Sequence, residues 1–126
     1  MLLTEYFARL VKDIEEYSKT NLIIDSELHI DCRTEKIGII KGTITFLDNS
    51  YLFFTEYLDV RYKIEKLTYP FHYQQKDGTL IFRYDNACHK PRLSFTSHKH
   101  LPSGEIIQSD IPELNDIFEE VMEYLL

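Results

Sequence analysis

The hydrophobic period of this chain changes twice, and that change limits the possible folds more than any other feature. From Leu3 to Tyr17 apolar residues return every three or four positions, at Leu3, Tyr6, Phe7, Leu10, Val11, Ile14 and Tyr17, with Glu5, Arg9, Lys12, Asp13 and Glu16 opposite them. That spacing predicts an amphipathic helix. From Leu22 the period drops to two: Leu22, Ile24, Leu28, Ile30 and Cys32 share one face, and Asp25, Glu27, His29, Asp31 and Arg33 share the other, as in a half-buried strand. Further strand runs follow at 36–47, 51–58, 62–73 and 79–84, punctuated by the turn-forming Asp48-Asn49-Ser50 and Lys76-Asp77-Gly78. Helical spacing then resumes with Leu114, Ile117, Phe118, Val121, Met122 and Leu125. Asp110 and Glu113 stand in capping-box spacing before it, with Pro112 in the expected first turn.

The connections between strand runs are shorter than the dozen or so residues a parallel crossover needs. The expected fold is therefore α+β: an antiparallel meander of five to six strands, the sixth a short one near 105–108, with an N-terminal and a C-terminal amphipathic helix packed against it. A chain of 126 residues, 44% apolar, buries such a core as one domain over 1–126. No run of eighteen apolar residues occurs, and the charged start does not read as a signal peptide. No membrane span is expected, the expected compartment is the cytoplasm, and Cys32 and Cys88 are expected to be reduced thiols.

Charge is distributed unevenly. The chain carries −7 overall, which argues against a protein that coats nucleic acid through a basic surface. Between Asn86 and Gly104, however, there is no acid, while Lys90, Arg92 and Lys99 contribute +3; the remainder carries −10, the difference between −7 and +3. The same window holds His89, His98 and His100, three of the five histidines. Just before it, alternation along 79–85 puts Leu80, Phe82 and Tyr84 on one face and Ile81, Arg83 and Asp85 on the other. Arg83 and Asp85 are thus expected to project together at a strand end, with the histidines on the loops beyond, where scaffolded sites usually sit.

Phe82-Arg83-Tyr84-Asp85-Asn86-Ala87, then His89, then His98-Lys99-His100 carry a resemblance. In this pattern the chain resembles the TumE family of small toxins, encoded beside an antitoxin partner in bacteria and archaea. The likeness extends upstream through Asp48 to Leu52, Glu56, and Tyr69 to Gln74; the chain departs from the pattern at Cys88, Lys90 and Ser97. The resemblance implies a type II toxin held in check by a cognate antitoxin, expected to be a small helix-turn-helix protein.

Residue chemistry suggests what such a toxin does. Imidazoles titrate near neutrality and suit general acid and base roles in attack of a ribose 2′-hydroxyl on its phosphate. The expected activity is a metal-independent ribonuclease with no cofactor, with Arg83, Asp85, His89, His98 and His100 as catalytic residues and Tyr84, Asn86, Lys90, Arg92 and Lys99 as RNA-binding residues. Arg83 stabilises phosphoryl charge in this scheme, and Asp85 orients Arg83 or a histidine. Two alternatives stand beside it. One is a binding module that inhibits its target by occupancy. The other is a metal-dependent nuclease in which His98 and His100 are completed by His89 and a carboxylate such as Asp85 or Glu56, or by Cys88.

Other features have structural readings. Glu56 falls on an otherwise apolar strand face, so it is either a catalytic acid or a structural one paired to Arg83 or Lys66. Cys88 adjoins His89, which alone does not make it a nucleophile. The nine tyrosines and eight phenylalanines mostly follow core spacing, leaving Tyr73, Tyr84 and Phe95 as candidate base-stacking groups. The glycines, Gly38, Gly42, Gly78 and Gly104, form no phosphate-cradling loop.

Overall fold

A computed structural model describes residues 1–87 and 95–126. Helix α1 (Leu3–Ser18) is followed by strands β1 (Ile23–Cys32), β2 (Ile37–Phe46), β3 (Tyr51–Asp59), β4 (Glu65–Thr68), β5 (Phe71–Gln74), β6 (Leu80–Asp85), β7 (His98–His100) and β8 (Ile106–Gln108), and then by helix α2 (Leu114–Leu125). All strand pairs are antiparallel, in the order β1-β2-β3-β5-β6-β7-β8, with β4 also on β3. The architecture is the α+β meander expected from the sequence, with more strands. No described helix is long and apolar enough to cross a membrane.

Two differences account for the extra strands. The run expected over 62–73 is broken at Tyr69-Pro70, so β4 pairs with the Tyr57–Asp59 end of β3 and β5 with the Tyr51–Phe54 end. Proline has no N–H to give a ladder; the Pro70 carbonyl still accepts from Thr55 N–H at 3.1 Å. Secondly, His98–His100, expected on a loop, is itself a strand, with Asp85 opposite His98 and Arg83 opposite His100.

Both helices cover the same face of the sheet. Leu3, Tyr6, Leu10 and Ile14 of α1 and Leu114, Ile117, Phe118 and Val121 of α2 meet Ile40, Ile44, Phe46, Leu52, Phe54, Leu58, Phe71, Tyr73 and Phe82. Phe54 lies over its register partner Gly42, where a Cβ would overlap the ring; a glycine is needed there for close packing. The β5–β6 hairpin turns at Gly78, whose φ of +91° suits glycine. In β1 a bulge between Ile23 and Asp25 brings Ile23, rather than Ile24, onto the core side, leaving Ile24 53% exposed.

Helix α2 begins later than its sequence signals suggest. Glu113 is the N-cap, and its N–H donates to Asp116 Oδ2 at 3.0 Å. Asp110 and Pro112 precede the helix. The Pro112 carbonyl accepts from Lys66 Nζ at 2.8 Å, which ties this segment to β4.

Candidate active site on the helix-free face

Alternation in β6 sends Phe82 into the core and Arg83 and Asp85 to the opposite, helix-free face. The register then assembles a row across three neighbouring strands: His72 of β5 lies opposite Arg83, and Arg83 lies opposite His100 of β7. One row further on, Asp85 lies opposite His98.

Asp85 is the hub, although it is only 5% exposed. Its Oδ2 accepts from Arg83 Nε at 2.7 Å and stands 3.7 Å from His100 Nε2, while its Oδ1 is 2.5 Å from His98 Nε2 and also accepts from Ala87 N–H at 3.2 Å. Burial pushes the carboxyl up, but the hydrogen bonds from Arg83 and Ala87 and the charges of His98 and Arg83 outweigh it. The net effect holds Asp85 below its ordinary value.

The two histidines of β7 differ. His98 is fully buried, with Nδ1 2.6 Å from the Thr96 carbonyl and Nε2 on Asp85. An acceptor thus faces each of its two ring nitrogens. His98 therefore braces Asp85 from beneath. His100 retains 21% of its side-chain surface and Arg83 35%, so these two present the cluster to solvent.

His72 completes the group and was not singled out from the sequence. Its Nδ1 lies 3.3 Å from Arg83 Nη1 and its Nε2 lies 3.0 Å from Gln74 Oε1. An Nε2–H donated to Gln74 leaves Nδ1 to accept from Arg83, which is the neutral ring. Alternation already puts His72 and Gln74 opposite the core residues Phe71 and Tyr73. Placing His72 against Arg83 requires the hairpin register, which a shift between Tyr73 and Gln74 alters.

The other residues expected at the site are distributed differently. Tyr84 and Lys99 lie on the helix side: Tyr84 donates to Glu120 Oε1 at 2.5 Å, and Lys99 Nζ pairs with Glu120 Oε2 at 2.7 Å. The sheet separates them from Arg83, because Tyr84 follows Arg83 directly and Lys99 lies between the two histidines. Tyr73 is likewise fully buried in the core. Asn86 Nδ2 donates to the Leu67 carbonyl at 2.9 Å. Cys88, His89, Lys90 and Arg92 lie outside the described residues.

Glu56 is also on the helix side and fully buried. Lys66 Nζ pairs with it at 2.8 Å, and Tyr6 Oη reaches its two oxygens at 3.0 and 3.1 Å. Of the two partners considered from sequence, it takes Lys66. Burial dominates and raises its pKa despite the lysine. A cleft of about 350 Å³ lined by Tyr6, Leu10, Ile64, Lys66, Ile111 and Leu114 opens on this side. Lys66 is already committed to Glu56, Glu113 and the Pro112 carbonyl. Arg9, Asp13, Glu113 and Asn115 also line the cleft, but among the described residues no histidine does, and the imidazoles gather on the other face.

The family model described as Toxin TumE matches residues 8–125, nearly the whole chain. The chain belongs to the TumE toxin family. No curated protein and no solved structure matches it. For this TumE-family chain the matched span takes in every residue of the His72, Arg83, Asp85, His98 and His100 cluster.

Among the described residues, Asp85, His98 and His100 also present ligand atoms within 4.8 Å of one another. The present geometry suits a proton better than a cation. Two ligands about 2.0–2.1 Å from one tetrahedral zinc stand about 3.3 Å apart, whereas His98 Nε2 and Asp85 Oδ1 are 2.5 Å apart. Arg83 occupies the other carboxylate oxygen.

Proposed function

We propose that this chain is the toxin of a type II toxin-antitoxin pair and that it acts as a metal-independent endoribonuclease. The toxin reading rests on the family match; the reaction rests on one observation, a guanidinium flanked on adjacent strands by two imidazoles, His72 and His100. Neighbouring strands are about 4.8 Å apart, so the two rings span roughly the width of a phosphodiester and its entering and leaving oxygens.

In this reading Arg83 binds the scissile phosphate and stabilises charge on its non-bridging oxygens as the reaction proceeds. His72 is the base: its Nδ1 exchanges the Arg83 N–H for the 2′-hydroxyl and takes that proton as the 2′-oxygen attacks phosphorus. His100, 3.7 Å from the Asp85 carboxylate, is the acid: it gives its proton to the 5′-oxygen as the P–O5′ bond breaks. A 2′,3′-cyclic phosphate and a 5′-hydroxyl result. Asp85 and His98 are positioning residues, Asp85 by fixing Arg83 and His98 by fixing Asp85.

Incubating purified protein with RNA, with and without a chelator, tests this. Chelator-resistant cleavage with cyclic-phosphate ends is expected, and a 2′-deoxy substitution at the cleaved nucleotide is expected to block it. In cells, expression without antitoxin should arrest growth, and His100→Ala should relieve the arrest. Intact RNA under all conditions sinks the nuclease reading, and full toxicity of His100→Ala favours inhibition by occupancy. The trio of Asp85, His98 and His100 keeps a second reading, a metal-dependent nuclease, which chelator-sensitive cleavage would select.

A further inference from the structure

The helix-free face continues beyond Arg83 into β3. There Tyr51, Phe53 and Tyr57 alternate outward, each half-buried, while Leu52, Phe54, Glu56 and Leu58 point to the helices. These three aromatics lie outside the core cluster that the helices cover. Phe53 is the register partner of His72, so the row reads Phe53, His72, Arg83, His100 across four adjacent strands. Phe53 thus stands about 10 Å from Arg83, and Tyr51 lies about 7 Å along β3 from Phe53.

The charges around these rings favour a polyanion. Between β2 and β7 the same face carries Lys41 and Arg83 together with His72 and His100. Its acids in those strands are Asp59, tied to Arg61 at 2.8 Å, its exposed register partner Glu65 at the far end of β4, and Asp85, tied to Arg83 and His98. Asp25, Glu27 and Asp31, whose register partners are Thr45, Thr43 and Ile39, line the far side on β1. A phosphate chain is attracted along the centre and repelled from that border.

We propose that Tyr51, Phe53 and Tyr57 form a base-stacking platform that holds single-stranded RNA and feeds it to Arg83. This rests on the ribonuclease reading of the same site and adds its substrate class. A sheet face carrying aromatic rings engages unstacked bases, as other sheet-based RNA binders do, whereas a duplex keeps its base faces stacked inside. The local strip of cations supplies phosphate affinity that the acidic chain as a whole does not.

The test uses His100→Ala protein, so that bound RNA survives, and a fluorescent single-stranded RNA oligonucleotide followed by anisotropy. Phe53→Thr and Tyr51→Thr are suitable variants, because threonine already occupies outward positions 43, 45 and 55 of this sheet. Each is expected to weaken binding about fivefold to hundredfold, with Phe53→Tyr close to the parent and the matching duplex bound more weakly than the single strand. Unchanged binding in both threonine variants with an intact fold overturns the platform, as does equal affinity for duplex. Binding that depends on Phe53 in a protein that cleaves nothing leaves the platform standing and removes the nuclease reading. Cleavage of long RNA at parental rate by Phe53→Thr and Tyr51→Thr does the reverse. If Phe53→Thr spares RNA binding and instead weakens the antitoxin complex, the face belongs to the antitoxin and the proposal fails.

Discussion

Two carboxylates are buried in this sheet, Asp85 on the helix-free face and Glu56 beneath the helices, and their surroundings treat charge in opposite ways. Asp85 is held below its ordinary value by Arg83, Ala87 and His98, while burial drives Glu56 up even with Lys66 at 2.8 Å. The partners explain the contrast in consequence. Arg83 is 35% exposed and His100 21%, whereas Lys66 is 3% exposed and fully engaged. One network leads a guanidinium and an imidazole to the surface, where a substrate meets them; the other buries its cation and reaches solvent only through the Glu113 carboxylate. A buried ion pair is thus not evidence of a site for an anionic substrate unless its cationic member also faces solvent.

The contrast breaks most decisively at His100. His100→Ala is expected to lower RNA cleavage by about 10²–10⁴-fold, read by single-turnover assay, with little loss of thermal stability. A parental rate in that variant would remove the distinction between the two networks.

Asp85→Asn comes next. It leaves the buried His98 ring and Arg83 without their carboxylate, a loss of about 3–5 kcal/mol for breaking a buried pair, readable from urea unfolding at neutral pH. The pH dependence sharpens the comparison. A depressed Asp85 contributes stability above its ordinary value of 3.8 that disappears as pH falls through its lower native value. The Asp85→Asn penalty should therefore shrink in acid.

Glu56→Gln is expected to show the opposite slope. Its raised pKa makes the Glu56 contribution fullest below the ordinary 4.5 and lost as pH rises through the native value. The penalty, about 1–3 kcal/mol at most, should be larger in acid than at neutrality, and RNA cleavage should be unchanged. Parallel pH slopes for the two amide variants would show that the faces do not treat charge differently.

The smallest effect belongs to Tyr84→Phe, which removes the hydroxyl bonded to Glu120. About 1 kcal/mol of stability should be lost, with cleavage again unchanged. A large loss of cleavage here would mean that the helix side participates in the reaction after all.

Much of this was legible in the chain. The change of hydrophobic period set the two helices and the strand-rich middle, the short connections set antiparallel pairing, and alternation in β6 set Arg83 and Asp85 on one side with Tyr84 on the other. The acid-free stretch pointed to β7. These are local properties, fixed by the repeat of a helix or the pleat of a strand. Tertiary structure decided the rest, because register depends on where bulges and breaks fall rather than on composition. The break at Tyr69-Pro70 and the shift after Tyr73 bring His72 against Arg83. Pairing of β7 with β6 buries His98 on Asp85, leaves His100 in reach of solvent, and turns Lys99 toward α2. Sequence named the groups; only the packed sheet determined which of them face the same water.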